Sequence, residues 1–232
     1  MSYAWVLLDA DGTLFDYDHS EAVTLAGTFA ECGLPFEAGH VETYRRINGR
    51  LWLELERGTT TQERIRSERF ASLFEVTGVD ADPAAFSARY LANLARRTEL
   101  IDGAAEVAAR LAARARLLIV TNGLAEVQRP RLAASAVGPY IAGIVISEEV
   151  GSAKPDGGIF RAAFEAMGGP PKRDVLMVGD SPTSDIAGGR DFGIDTCWFN
   201  PARAPRPADV EPTFEIARLE ELLEIVPDGM SR

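Results

Sequence analysis

Five short stretches of this chain hold residue types that could do chemistry together. Trp5-Val6-Leu7-Leu8 runs directly into Asp9-Ala10-Asp11-Gly12-Thr13, so an apolar run ends in two carboxylates one residue apart. An apolar run of that length bounded by a turn signal reads as a buried strand. Residues two apart on a strand share a side, which lets Asp9 and Asp11 lean into one site. Carboxylates that close repel each other in a dry pocket. A divalent cation relieves the conflict, and Mg²⁺ suits it because it takes hard oxygen ligands with one or two carboxylates among them. The same run also reads as an Asp-Gly turn carrying two solvated charges.

The other four stretches have a similar look. Thr121-Asn122-Gly123 follows Leu117–Val120, Gly179-Asp180 follows Val175–Val178, Asp185 comes five residues after Asp180 and behind Pro182, and Lys154 sits in Ala153-Lys154-Pro155. Singly, each has an ordinary explanation as a turn, a loop start, a helix-dipole partner worth about 0.3–1 kcal/mol, or a solvated charge. Jointly they converge, because open α/β sheets bind ligands outside the carboxyl ends of their strands. Lys154 is further marked by its rarity. The chain has 22 arginines and only two lysines, and the two cations are not interchangeable. The proline after it also pins its backbone in an extended form.

Two kinds of element must position these groups. From about residue 18 to 97 the periodic segments are all helical. Ala22, Val23, Leu25, Ala26 and Phe29 share a face before Gly33, and Val41, Tyr44, Asn48, Leu51, Trp52 and Leu55 recur at helical steps before Gly58. Thr60 and Glu63 have the spacing of a capping box, and Asp82-Pro83 that of an N-cap followed by N1. After about residue 100, strands at 116–120, 143–146, 174–178 and 196–199 alternate with helices near 103–114, 124–134, 157–167 and 183–191. That alternation predicts a parallel sheet covered on both faces. The first strand belongs to the same sheet. The expected fold is an α/β, Rossmann-like doubly wound parallel sheet built from residues 1–17 and 98–232, with an all-helical cap, residues 18–97, inserted after the first strand. The proline-bearing stretch 201–212 is expected to be irregular and to lead into a last helix near 216–226.

Composition narrows the possible partners. With 232 residues, 46% of them hydrophobic, the chain can bury a full core. A net charge of −11 argues against a nucleic-acid polymer or a membrane surface as partner. No apolar run approaches membrane-spanning length, and the start lacks the pattern of a signal peptide. Cys32 and Cys197 lie far apart, as suits free thiols in a reducing cytoplasm. With two histidines, a His-based triad or metal site is improbable.

The set of four motifs resembles that of the haloacid dehalogenase superfamily: Asp9-Ala10-Asp11-Gly12-Thr13, Thr121, Lys154, and Gly179-Asp180 with Asp185. Within it the chain is similar to the pyrimidine 5′-nucleotidases that accept non-standard nucleotides. Ile47-Asn48-Gly49-Arg50-Leu51-Trp52, Ile146-Ser147-Glu148-Glu149-Val150-Gly151, Val175–Asp180 and Thr196-Cys197-Trp198-Phe199-Asn200 carry that likeness. The resemblance implies a Mg²⁺-dependent phosphomonoester hydrolase. In it, Asp9 is the nucleophile and Asp11 the general acid and base. Thr121, Asn122 and Lys154 bind the phosphoryl group. The metal is held by Asp9, the Asp11 carbonyl and Asp180, with Asp185 acting through water or on Lys154. The implied partner is a small phosphate ester, handled by a cytoplasmic monomer or homodimer. Asn48 and Trp52 are the candidates for selecting a pyrimidine base, with cap-core packing the other reading of Trp52. A phosphatase of another small metabolite and a phosphomutase share all four motifs. A haloacid dehalogenase needs neither Asp11 nor Asp180, and a binding module need not keep the full charged set.

Overall fold

The structure is a computed structural model and describes residues 3–227. Six strands form one parallel sheet: β1 (Trp5–Leu8), β2 (Arg116–Thr121), β3 (Ile141–Ile146), β4 (Val175–Gly179), β5 (Asp195–Phe199) and β6 (Phe214–Ile216). Their spatial order is β3-β2-β1-β4-β5-β6, with β1 in the middle and the chain leaving it in opposite directions. Such a sheet must be apolar on both faces. Val6, Leu8, Leu117, Ile119, Leu176 and Val178 face one core, while Trp5, Leu7, Leu118, Val120, Val175 and Met177 face the other. The two-residue period is kept across all three central strands.

Helices cover both faces. They are α5 (Ala104–Ala112), α6 (Ala125–Ala134), α7 (Ser147–Val150), α8 (Gly157–Ala166), α9 (Ala187–Phe192) and α10 (Leu222–Ile225). A single π-helical turn, Pro182–Ile186, precedes α9. The helix expected near 216–226 is corrected here, and a strand not expected from the sequence is added. Residues 214–216 form an edge strand on β5, and the last helical segment begins only at Leu219. The strand is three residues long and follows a proline-rich connection, too short for its own periodicity to register.

Four helices between β1 and α5 form the cap: α1 (Tyr17–Glu31), α2 (Gly39–Glu56), α3 (Gln62–Thr77) and α4 (Pro83–Leu94). Asp82 caps α4 by accepting from the Ala84 N–H. Thr61, rather than Thr60, caps α3, accepting from the Arg64 N–H. The cap has its own aromatic core of Phe29, Tyr44, Phe70, Phe74, Phe86 and Tyr90, which Val127 of α6 and Leu124 just before that helix join from below. Its two connections to the sheet are paired with each other. The Asp16 N–H donates to the Glu99 carbonyl at 3.0 Å and the Ile101 N–H to the Leu14 carbonyl at 2.9 Å, so the cap stands on a two-chain stalk.

Candidate active site

The carboxyl ends of β2, β1 and β4, side by side, form the floor of a cavity of about 170 Å³ roofed by the cap. Asp9, Asp11, Thr121, Asn122, Gly123, Lys154 and Ser184 line it from the core, and Tyr17, Trp52 and Glu56 from the cap. Asp9 directly follows β1, its backbone N–H donating to the Val178 carbonyl at 2.9 Å, which ties it to β4. Beyond Asp9 the chain has left the strand. Gly12 has φ +85° and an added Cβ there would lie 2.4 Å from Asp180 Oδ2. Only a bare backbone lets the first motif approach the fourth so closely. Gly179 does the same for Asp185, whose Cγ would lie 2.2 Å from an added Cβ.

Lys154 ties the charged groups together. Its ammonium donates to Asp9 Oδ1 at 2.5 Å, Asp185 Oδ1 at 2.7 Å and the Val120 carbonyl at 2.7 Å, so all three of its donors are engaged. The Lys154 backbone is itself held by Asn122, whose amide donates to the Lys154 carbonyl at 2.9 Å and accepts from the Lys154 N–H at 2.7 Å. Thr121, buried, accepts from the Gly123 N–H through its hydroxyl. Thr13 donates to Asp180 Oδ1, and the Trp198 indole N–H to the Asp180 carbonyl. The Ser181 N–H donates to Asp185 Oδ2.

Asp9, Asp180 and Asp185 each direct an oxygen to within 4.8 Å of the others. Burial, with the Asp185 and Asp180 charges added and Lys154 opposing, pushes the Asp9 carboxyl well above the usual carboxylate range. Burial and then the Asp185 charge push Asp180 up to about 7. Burial works against the Lys154 ammonium, but Asp185 and Asp9 outweigh it and hold it above its ordinary value. Three carboxylates thus gather near one ammonium, which bonds two of them, Asp9 and Asp185. A donor set of hard oxygens with surplus negative charge fits a divalent cation such as Mg²⁺.

The structure brings Asp9, Asp11, Thr121, Asn122 and Lys154 to one cavity, with Asp180 and Asp185 beside Asp9. Both aspartates of the first motif line that cavity, as expected, but strand alternation is not what brings Asp11 there, because β1 ends at Leu8. Asp11 lies in the turn after β1, outside the acidic cluster, and its carboxylate meets Arg131 and Gln128 instead. Of the two cap candidates, Trp52 lines the cavity and Asn48 does not. Asn48 shares the inward face of α2 with Tyr44, Leu51 and Leu55. Its amide donates to the Tyr17 hydroxyl at 3.3 Å and Glu21 Oε1 at 3.4 Å. Trp52 and Glu56, one position round the helix, face the site. Tyr17 and Glu56 were not legible as site residues. Glu56, raised by burial, accepts from the Thr183 hydroxyl at 2.9 Å and so joins cap to core at the cavity rim.

Comparison with known proteins agrees with this geometry. The family model for haloacid dehalogenase-like hydrolases matches residues 3–193. The HAD-hydrolase YfnB of Bacillus subtilis is 36% identical over 97% of this chain and 95% of its own. Its magnesium-bound crystal structure, described as revealing interdomain movement, superposes with a TM-score of 0.91 at 35% identity, covering 97% of this chain and 99% of the other. The pyrimidine 5′-nucleotidase YjjG of Escherichia coli is 33% identical over 97% of this chain and 99% of its own. The pyrimidine 5′-nucleotidase PynA of Streptococcus pneumoniae is 33% identical over 97% and 95%. Among the described residues, no helix is long and apolar enough to cross a membrane.

Proposed function

The chain belongs to the haloacid dehalogenase-like hydrolases, and from that premise we propose that it is a Mg²⁺-dependent phosphatase of pyrimidine nucleoside 5′-monophosphates. The observation that carries this reading is the single cavity with Asp9, Thr121 and Lys154 at its floor and the flat rings of Tyr17 and Trp52 at its roof. Two relatives matched over nearly their whole length are pyrimidine 5′-nucleotidases, which supports the choice of substrate. A fold alone would not support it.

Asp9 attacks phosphorus with a carboxylate oxygen, and the phosphorus–oxygen ester bond breaks as the aspartyl-phosphate forms. Asp11 gives its proton to the departing nucleoside oxygen. It then takes a proton from the water that attacks the same phosphorus, releasing phosphate and restoring Asp9. Lys154 fixes the rotation of Asp9 and offers its charge to the phosphoryl oxygens, which would compete with the carboxylates for it. The Thr121 hydroxyl and the Asn122 N–H add neutral donors, and the Asn122 side chain keeps Lys154 in place. The Asp9 and Asp180 carboxylates and the Asp11 main-chain carbonyl would hold Mg²⁺, with Asp185 acting through water or on Lys154. When bound, the ion neutralises charge on the transferring group. On the cap side, Trp52 and Tyr17 would sandwich the base, and Asn48 would act on it through Tyr17.

The test is hydrolysis of dUMP, UMP, dTMP, AMP, 2-deoxyribose 5-phosphate and phosphoglycolate with Mg²⁺ and with excess EDTA. We expect pyrimidine monophosphates to lead in kcat/KM and EDTA to abolish turnover. A sugar phosphate or phosphoglycolate at the head would move the substrate assignment, and full activity in EDTA would overturn the metal.

A further inference from the structure

We propose that Arg131 and Gln128 are positioning residues that clamp the acid–base Asp11 and tie its orientation to the stalk of the cap. The inference rests on the role given to Asp11 above. Arg131 Nη1 donates to Asp11 Oδ1 at 2.5 Å, and Gln128 Nε2 donates to Asp11 Oδ2 at 2.5 Å. Both side chains come from α6, three residues apart and therefore on one helix face. Both are buried, Arg131 completely, whereas the Asp11 side chain is 26% exposed and opens on the cavity. The clamp therefore grips the carboxylate from behind and leaves its open side to the substrate.

Arg131 reaches beyond Asp11. Its Nε donates to the Arg97 carbonyl at 2.9 Å, and its guanidinium lies over the Phe15 ring, 4.4 Å from the centroid. Phe15 belongs to the outgoing connection of the cap and Arg97 to the returning one, so one buried guanidinium touches the acid–base and both legs of the stalk. A fully buried arginine costs desolvation that an apolar residue of similar volume would avoid. Its retention here is explained by the planar fork, which can hold a carboxylate oxygen and a carbonyl in fixed relation. A tilt of the stalk shifts the Arg97 carbonyl and Phe15, and with them the direction in which Asp11 points.

Proton donation to the departing oxygen needs hydrogen-bond reach and alignment. A nucleoside leaves poorly as an alkoxide and needs that proton, whereas p-nitrophenolate leaves as the anion without it. The clamp therefore matters for the first substrate and hardly at all for the second, provided the phosphorylation step alone is read. The experiment is rapid-quench measurement of the first turnover of wild type, Arg131→Met, Gln128→Met and Arg131→Lys, with dUMP and with p-nitrophenyl phosphate. We expect Arg131→Met and Gln128→Met to lose about 30-fold or more in first-turnover release of deoxyuridine, within the span of general acid catalysis. Their p-nitrophenol bursts should stay within about threefold of wild type, and Arg131→Lys should recover part of the loss. Equal losses on both substrates, or no loss on either, would overturn the clamp. If Arg131→Met fails to fold, Gln128→Met, which strips one bond without stranding a charge, decides alone. Asp11→Asn is the control. If it too affects both substrates alike, the acid role of Asp11 fails; if it discriminates and the clamp variants do not, only the clamp fails.

Discussion

The floor and the roof of the cavity are made by opposite means. On the floor, the charged groups sit just past strand ends, in a braced loop or in a helical turn, and hydrogen bonds and ion pairs hold them. Lys154 alone makes three through its ammonium and two through its backbone. At the roof, Trp52 and Tyr17 are set by how four helices bury their aromatic core, and few polar contacts pin them. Bond-rich groups suit charge that must sit at a fixed point, as the attack on phosphorus demands. Packed rings suit a flat, mostly apolar partner whose binding is a matter of contact area. The difference implies that damage to the groups of the floor that hold the phosphoryl group affects esters with and without a base alike, while damage to the roof affects only those with a base.

The largest break in that contrast is Asp9→Asn, which keeps shape and burial but cannot attack phosphorus. Its kcat should fall by about 10³-fold or more on dUMP and on 2-deoxyribose 5-phosphate alike, with an unchanged circular dichroism spectrum. Turnover within about tenfold of wild type would place the nucleophile elsewhere. Next comes Lys154→Arg. The guanidinium keeps the charge but is too broad for a space shared by Asp9, Asp185 and the Val120 carbonyl, so kcat/KM should drop by about 100-fold, again on both substrates. A near-normal value would mean that the floor needs a positive charge and no particular shape. The smallest effect sharpens the comparison from the other side. Trp52→Ala should weaken dUMP by about 1–3 kcal/mol in kcat/KM, the worth of stacking a base on an aromatic ring. It should leave 2-deoxyribose 5-phosphate, which has no base, within about threefold of wild type. Equal losses on the two esters, together with a lowered Tm, would make Trp52 a packing residue of the cap.

The same contrast explains what could be read from the chain before its fold was in hand. Asp9, Thr121 and Asp180 were legible because an apolar run that stops at a polar residue locates a strand end, and strand ends in a parallel sheet fall together. Lys154 was legible from its rarity and its proline. The path to Asp11 was less so: a period-two argument continued past Leu8 assumes a strand, whereas β1 ends at Leu8 and Asp11 reaches the cavity from the turn that Gly12 completes. Arg131 and Gln128 could have been suspected from their three-residue spacing just after Thr121-Asn122-Gly123, but their partner is 120 and 117 residues distant. No local pattern encodes that contact. Asn48 shows the limit at the roof. A helical period places it on a face with Leu51 and near Trp52, but which side of that face looks inward is decided by α1, α3 and α4 together.

The stalk has a consequence of a different order. Because the Asp16–Glu99 and Ile101–Leu14 bonds close the two connections against each other, the sheet is joined covalently to the four helices as if to a single closed ring. Changes in the length, number or composition of those helices need not alter any strand register, and changes in the strands need not alter the cap core. Heredity can therefore work on the two halves at separate rates: one roof can be exchanged for another over a floor that stands still, and new substrates can be tried without rebuilding the reaction.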